Sequence, residues 1–208
     1  MDLNDLIESL EEKGVLKLVL VKKALKTIDR RKFVPMDLQN LAYLDSPLPI
    51  GDGQTISQPY TVIFMLELLE PKKGESIMDI GYGSGWQTAL LAEIVGEAGS
   101  VYAFERIKIL CDLGKANVSK YSNLLERVKF FCQDASSGLP EQAGCLDGII
   151  VAAEVREVPS SWRQQLKIGG RMVYPRAGAI CKEIKEDAEK FSIATYPGFA
   201  FVPFIKEY

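Results

Sequence analysis

Ser76-Ile77-Met78-Asp79-Ile80-Gly81-Tyr82-Gly83-Ser84-Gly85-Trp86 is the stretch on which the fold turns. Five residues of strand character run into a glycine loop, and Trp86 opens an apolar run to Val95 that reads as a helix. A strand that passes through glycines straight into a helix is where open α/β sheets bind nucleotides. The glycines permit a tight turn and let a ligand approach the backbone. A dinucleotide fingerprint would need glycine or alanine at position 86, to pack helix closely on strand beside the pyrophosphate, and this chain has tryptophan. A P-loop fails too, because no Gly-Lys-Ser/Thr follows. What remains is a GxGxG loop with an acid, Asp79, before it.

The pattern around this stretch repeats strand, loop, helix. Further strands are expected at Ser100 to Phe104, Val128 to Cys132, Gly148 to Ala153 and Arg171 to Tyr174, the last following Gly169-Gly170. Helices are expected at Ile107 to Tyr121 and Ser160 to Leu166, and the tail from Ala179 to Phe204 reads as β segments about the turn Tyr196-Pro197-Gly198. Upstream, Leu3, Leu6, Ile7 and Leu10 recur at helical spacing before Gly14, and Leu16 to Ile28 suits a second helix. Lys32 to Gly53, rich in turn formers, reads as an ordered loop with one helical turn, and Tyr60 to Leu69 as a helix starting after Pro59. Strands alternating with helices imply an α/β fold with a doubly wound, mostly parallel sheet. We expect one domain over residues 1–208: N-terminal helices and a loop over 1–58, an α/β core and C-terminal strands over 59–208.

Two more acids fall at strand ends. Glu105 lies about twenty residues beyond the glycines, where an acid accepts hydrogen bonds from ribose hydroxyls. Asp134 follows the third strand and could receive an adenine amino group. Three carboxylates around one glycine loop suit a nucleoside that is cationic rather than phosphorylated. S-adenosylmethionine, with a sulfonium and an ammonium group, is the expected cofactor, held by Asp79, Gly81, Tyr82, Gly83, Ser84, Gly85, Glu105 and Asp134 in a Rossmann-like methyltransferase fold.

Composition narrows the chemistry. Histidine is absent, so Ser-His-Asp and Cys-His centres and HExxH zinc sites are impossible; no metal site is expected. A net charge of -3, with basic residues dispersed apart from Arg30-Arg31-Lys32, speaks against nucleic acid as partner. The apolar runs are too short to span a bilayer, and the start, Met1 to Glu12, is acidic and helical, unlike a signal peptide. Cys111, Cys132, Cys145 and Cys181 lack CxxC spacing and are expected to be buried, reduced and inert in a cytoplasmic monomer.

Several segments resemble the protein-L-isoaspartate O-methyltransferase family: Arg31-Lys32-Phe33-Val34-Pro35, Ala42-Tyr43, Pro47-Leu48-Pro49-Ile50-Gly51 and, most specifically, Gly53-Gln54-Thr55-Ile56-Ser57-Gln58-Pro59. The Asp79 to Leu91 region, Glu105-Arg106, Asp134, Gln165-Leu166 with Gly169-Gly170, and Phe201-Val202-Pro203-Phe204 are similar as well. The resemblance covers nearly the whole chain. It implies methylation of the free carboxylate of L-isoaspartyl residues in damaged proteins and peptides, a repair reaction. It also implies that Ser57 is the active-site residue and that Thr55, Ile56 and Ser57 bind substrate. From the residues alone, Ser57 could equally cap the helix after Pro59.

The match fails at Ala152-Ala153-Glu154-Val155-Arg156, where the family has small residues and a proline, and at Arg176, where it has a small apolar residue. Tyr82 stands where threonine is commoner. A carboxylate at Glu154 beside an isoaspartyl substrate would repel it by roughly 3 kcal/mol at 5 Å and an effective dielectric near 20. Glu154 and Arg156 are therefore either solvated, compensated by Arg176, or part of a site retuned to another acceptor. A related methyltransferase with a different acceptor, and a non-catalytic S-adenosylmethionine-binding protein, stay open at this level.

Overall fold

A computed structural model of the chain describes residues 1–140 and 145–205. Two helices come first, α1 (Leu3–Glu12) and α2 (Val19–Thr27). Asp2 starts α1 with a capping box, its side chain accepting from the backbone of Asn4 and Asp5 while its own N–H donates to Asp5. The buried Leu6, Ile7 and Leu10 form the face that α1 turns inward. Two short 3-10 turns, Arg30–Phe33 and Met36–Leu41, follow.

The segment expected as a loop ends in a hairpin instead. β1 (Leu48–Gly51) pairs antiparallel with β2 (Gln54–Ile56), with Leu48 opposite Ile56 and Pro49 opposite Thr55. Asp52 and Gly53 make the turn with φ of 50° and 69°, the two left-handed residues that a tight two-residue hairpin needs. The Asp-Gly pair is the signal that the turn-former count concealed.

The core alternates as expected: α3 (Pro59–Leu69), β3 (Ser76–Ile80), α4 (Trp86–Val95), β4 (Ser100–Glu105), α5 (Lys108–Val118), α6 (Ser122–Leu125), β5 (Val128–Cys132), β6 (Leu146–Val151), α7 (Ser160–Gln165), β7 (Leu166–Arg176), β8 (Ala179–Lys185) and β9 (Phe191–Pro197). Strands lie in the order β5-β4-β3-β6-β7-β8-β9. Pairs from β5 to β7 are parallel, and β8 and β9 add an antiparallel edge. Chain order reverses about β3, which opens the crevice at the carboxyl ends of the strands.

Side chains alternate across the sheet with period two. Ile77, Val101, Ile150 and Val173 join the core beneath α1 to α5. Met78, Phe104, Ile149, Val151 and Met172 face the other way, where Trp162 of α7 is wholly buried and donates its indole N–H to the Ala135 carbonyl.

The cysteines depart from expectation. Cys111 and Cys132 form a disulfide between α5 and the end of β5, with Cα atoms 5.7 Å apart, while Cys145 and the buried Cys181 lie outside the bridge. The βαβ crossover lays the first turns of α5 beside the end of β5, so two cysteines 21 residues apart meet without any local spacing motif. Thiol titration of denatured, unreduced protein is expected to find two thiols, rising to four after reduction. Reduction should lower the unfolding free energy by roughly 3 kcal/mol, the loop-closure value for a bridge of this span, measured by urea denaturation with and without reductant.

Candidate active site

A cavity of about 450 Å³ opens at the carboxyl ends of the parallel strands, within the range of small-molecule sites. Gly81 to Ser84, Glu105, Asp134, and Ala152 with Ala153 line it from the tips of β3, β4, β5 and β6. The β1–β2 hairpin side supplies Ile50, Thr55, Ile56 and Ser57, and the tail Ala200 to Ile205 covers a third side. Residues more than 140 positions apart in the sequence thus share one chamber.

The glycine loop is shaped for close approach. Gly81 and Gly83 have φ of 80° and 45°, and a Cβ on Gly83 would lie 3.2 Å from the Ile50 methyl group. Gly85 serves a different purpose, since a Cβ there would meet the Gly114 carbonyl of α5 at 2.7 Å. It belongs to helix packing and is absent from the cavity wall. Tyr82 lines the cavity but turns its ring onto α5, donating its hydroxyl to the Cys111 carbonyl and meeting Phe130 edge-on. Burial pushes its phenol far above the usual range.

Glu105 and Asp134 stand in the wall, and Asp79 does not. One oxygen of Glu105 accepts the Gly83 N–H at 3.1 Å, fixing the loop to the β4 tip, and the other accepts from Arg106 and Ile107. A carboxylate has about four acceptor positions, so Glu105 keeps capacity for a ligand. Asp134 is oriented by Ser136, whose N–H and hydroxyl both donate to it.

Asp79 follows Ile77 in the pleat and so points to the α4 face of the sheet. There it is wholly buried, accepting from Gln87 Nε2 at 2.8 Å and Thr88 Oγ1 at 2.6 Å. Burial, opposed by these two bonds and aided by the Glu105 charge, raises its pKa from 3.8 to about 6. Asp79 therefore acts on the site through the first turn of α4, and as a charge behind the wall.

Ser57 faces the cavity without capping α3. Asp45 takes that role, accepting the Tyr60 N–H at 2.8 Å. What fixes Ser57 is Arg30, which the sequence presented only as part of a short basic cluster. Its side chain is fully buried, donating to the carbonyls of Ala42 at 2.6 Å, Ser46 at 3.1 Å and Ser57 at 3.0 Å. The guanidinium also lies 5.3 Å from the centre of the Trp86 ring. Burial draws its pKa down to about 10, against the pull of Asp45, so it stays charged at neutral pH. Trp86, the residue that excluded a dinucleotide loop, is the platform for this cation.

Glu154 is turned away. Its carboxylate accepts the Ala177 N–H at 3.1 Å, and its backbone bridges to Pro203. Neither Glu154, Arg156 nor Arg176 lines the cavity, and both arginines are exposed. The departure from the family pattern therefore serves the β7–β8 turn, where Ala177 is left-handed with φ of 51°.

Two variants probe this arrangement. Lysine cannot span three carbonyls with one planar fork, so Arg30→Lys should lose roughly 2–4 kcal/mol of stability by urea denaturation. For Asp79 the folded pKa is raised from 3.8 to about 6, so its contribution is fullest below about pH 4 and is lost as the pH rises through 6. Compared with Asp79→Asn, which mimics the protonated group, the parent should lose roughly 3 kcal/mol of relative stability over that window and no more above pH 7.

A sequence profile described as Protein-L-isoaspartate(D-aspartate) O-methyltransferase (PCMT) matches residues 1–208. The chain is similar to the protein-L-isoaspartate O-methyltransferase of Methanopyrus kandleri, 39% identical over 206 residues that cover 97% of this chain and 90% of that one. The Petrotoga mobilis protein of the same name is 41% identical over 194 residues, covering 90% and 88%. A solved structure named protein-L-isoaspartate O-methyltransferase superposes with a TM-score of 0.85 at 29% identity, over 97% of this chain and 65% of that chain. A Plasmodium falciparum structure described under the same name, in complex with S-adenosyl-L-homocysteine, shares the fold with a TM-score of 0.86 at 22% identity, over 98% of both chains. With matches that run along its whole length, this chain belongs to the protein-L-isoaspartate O-methyltransferase family.

Proposed function

We propose that the cavity holds S-adenosylmethionine against the strand tips and an L-isoaspartyl side chain against the hairpin, and that the free carboxylate of that side chain is methylated. The observation that carries this is the shared wall: the hairpin puts Thr55, Ile56 and Ser57 into the same chamber as the glycine loop. Two substrates must meet for a transfer, and one cavity with two chemically different sides suits that need.

The residues fit the cofactor. Gly81 to Ser84 offer backbone at close range, Glu105 has acceptor capacity for ribose hydroxyls, and Asp134 is the acceptor for an adenine amino group. Bound there, S-adenosylmethionine supplies a methyl group made electrophilic by the sulfonium. Glu105, with Asp79 behind the wall, gives this side a negative field that suits a cation.

A carboxylate acceptor is ionised at neutral pH and needs no general base. A chain without histidine can therefore perform the reaction by positioning and exclusion of water. Ser57 offers a hydroxyl to the acceptor, with its backbone held by Arg30, and Thr55 and Ile56 complete the acceptor side. The alternative of a retuned acceptor loses its support with Glu154 outside the wall.

We also propose that residues 1–208 work as one domain, as a monomer in the cytoplasm, without nucleic-acid binding; the charge of -3 supports the last. Among the described residues no helix is long and apolar enough to cross a membrane.

Labelled methyl transfer to an isoaspartyl peptide, with its aspartyl twin as control, tests the reaction. Transfer to the isoaspartyl form alone is expected, and Ser57→Ala should lower kcat/KM about 10- to 100-fold. Equal transfer to both peptides, or cofactor binding with no transfer to either, would overturn it.

A further inference from the structure

Beside the methyl-transfer cavity lies a second, open depression between the start of α3 and the end of β9. Its floor is aromatic. Tyr60 and Phe64, four residues apart on α3, stack with centroids 6.1 Å apart. Tyr196, near the end of β9, meets Phe64 edge-on at 5.5 Å. Phe199, just past the turn at Gly198, stacks on Phe64 at 5.0 Å. The turn is held by the Gly178 carbonyl, which accepts from both Gly198 and Phe199. All four rings are only half-buried. Partly exposed aromatic side chains in a concave surface are common anchors of recognition.

This depression is continuous with the reaction chamber. Gln58, Thr61 and Ala200 line both, and Gln58 directly follows Ser57. An isoaspartyl residue is part of a polypeptide, so chain must leave the acceptor site, and the way out past Gln58 and Thr61 crosses the rings. Among the described residues, no charged side chain lines the depression. A charged group would be desolvated there without a partner, whereas an apolar one would gain contact.

Building on the isoaspartyl methyltransfer proposed above, we propose that the depression formed by Tyr60, Phe64, Tyr196 and Phe199 is a subsite for an aromatic or large apolar side chain of the substrate polypeptide, close in sequence to the isoaspartyl residue. It sets which damaged sites are methylated fastest, through binding of the flanking chain rather than through the transfer step.

The test uses isoaspartyl peptides with an otherwise glycine and serine background, in which a single phenylalanine occupies each flanking position in turn. At one position the phenylalanine should raise kcat/KM about tenfold over the all-glycine peptide, through KM. Tyr196→Ser, on the exposed edge strand, and Phe64→Leu, which keeps an apolar side chain on α3, should bring that ratio close to one. A parent enzyme that distinguishes no position by more than about twofold, or a preference that survives in both variants, overturns the subsite. Equilibrium binding of the same peptides in the presence of S-adenosylhomocysteine separates this from a failure of the reaction. If the parent methylates nothing yet binds the favoured peptide about tenfold more tightly, and the variants do not, the subsite stands and the proposed reaction falls. Equal binding of all peptides sinks the subsite.

Discussion

A cation with no access to water joins the two halves of this site. The guanidinium of Arg30 satisfies carbonyls at Ala42, Ser46 and Ser57 and rests against Trp86, so the segment that carries Ser57 is tied to the helix that follows the glycine loop. Each carbonyl left without it would be a buried acceptor lacking a partner. The arrangement is over-determined for that reason: removing the Arg30 side chain would strand three acceptors at once.

The negative side is organised differently. Glu105 is engaged by backbone N–H groups that lock the glycine loop, while Asp79 is shut behind it and held by Gln87 and Thr88. Their mutual repulsion contributes to the raised pKa of Asp79. A cationic ligand relieves that repulsion, and a phosphate would add to it. An acid set of this kind suits a cationic ligand, which agrees with the proposed chemistry of charge and position in place of an imidazole.

Around this centre the fold distributes structural duties to residues that look functional in one dimension. Gly85 lets α5 approach and Glu154 holds the β7–β8 turn through Ala177, while Cys111 and Cys132, expected to be inert, pin α5 to β5. The rings beside the chamber do the opposite. Tyr60 and Phe64 read in the sequence as part of a helix and Tyr196 as part of a turn, and with Phe199 they remain half-open at the edge of the site.

Local patterning determined the α/β alternation, the parallel core strands, the glycine loop and the acids at the β4 and β5 tips, while the stretch that carries Ser57 stood out through its resemblance to the family. Strand and helix periods, turn residues and loop motifs are properties of neighbouring residues, so they survive in one dimension. Only tertiary structure decided that Asp79 turns from the cavity, that Arg30 is buried beneath the hairpin, that Cys111 meets Cys132 and that Glu154 faces a turn. Each of these depends on which side of a pleat or helix a residue falls and on what distant segment packs against it. Direction and partnership between residues far apart in the chain are set by the crossover of strands and helices, and no short window of sequence contains them.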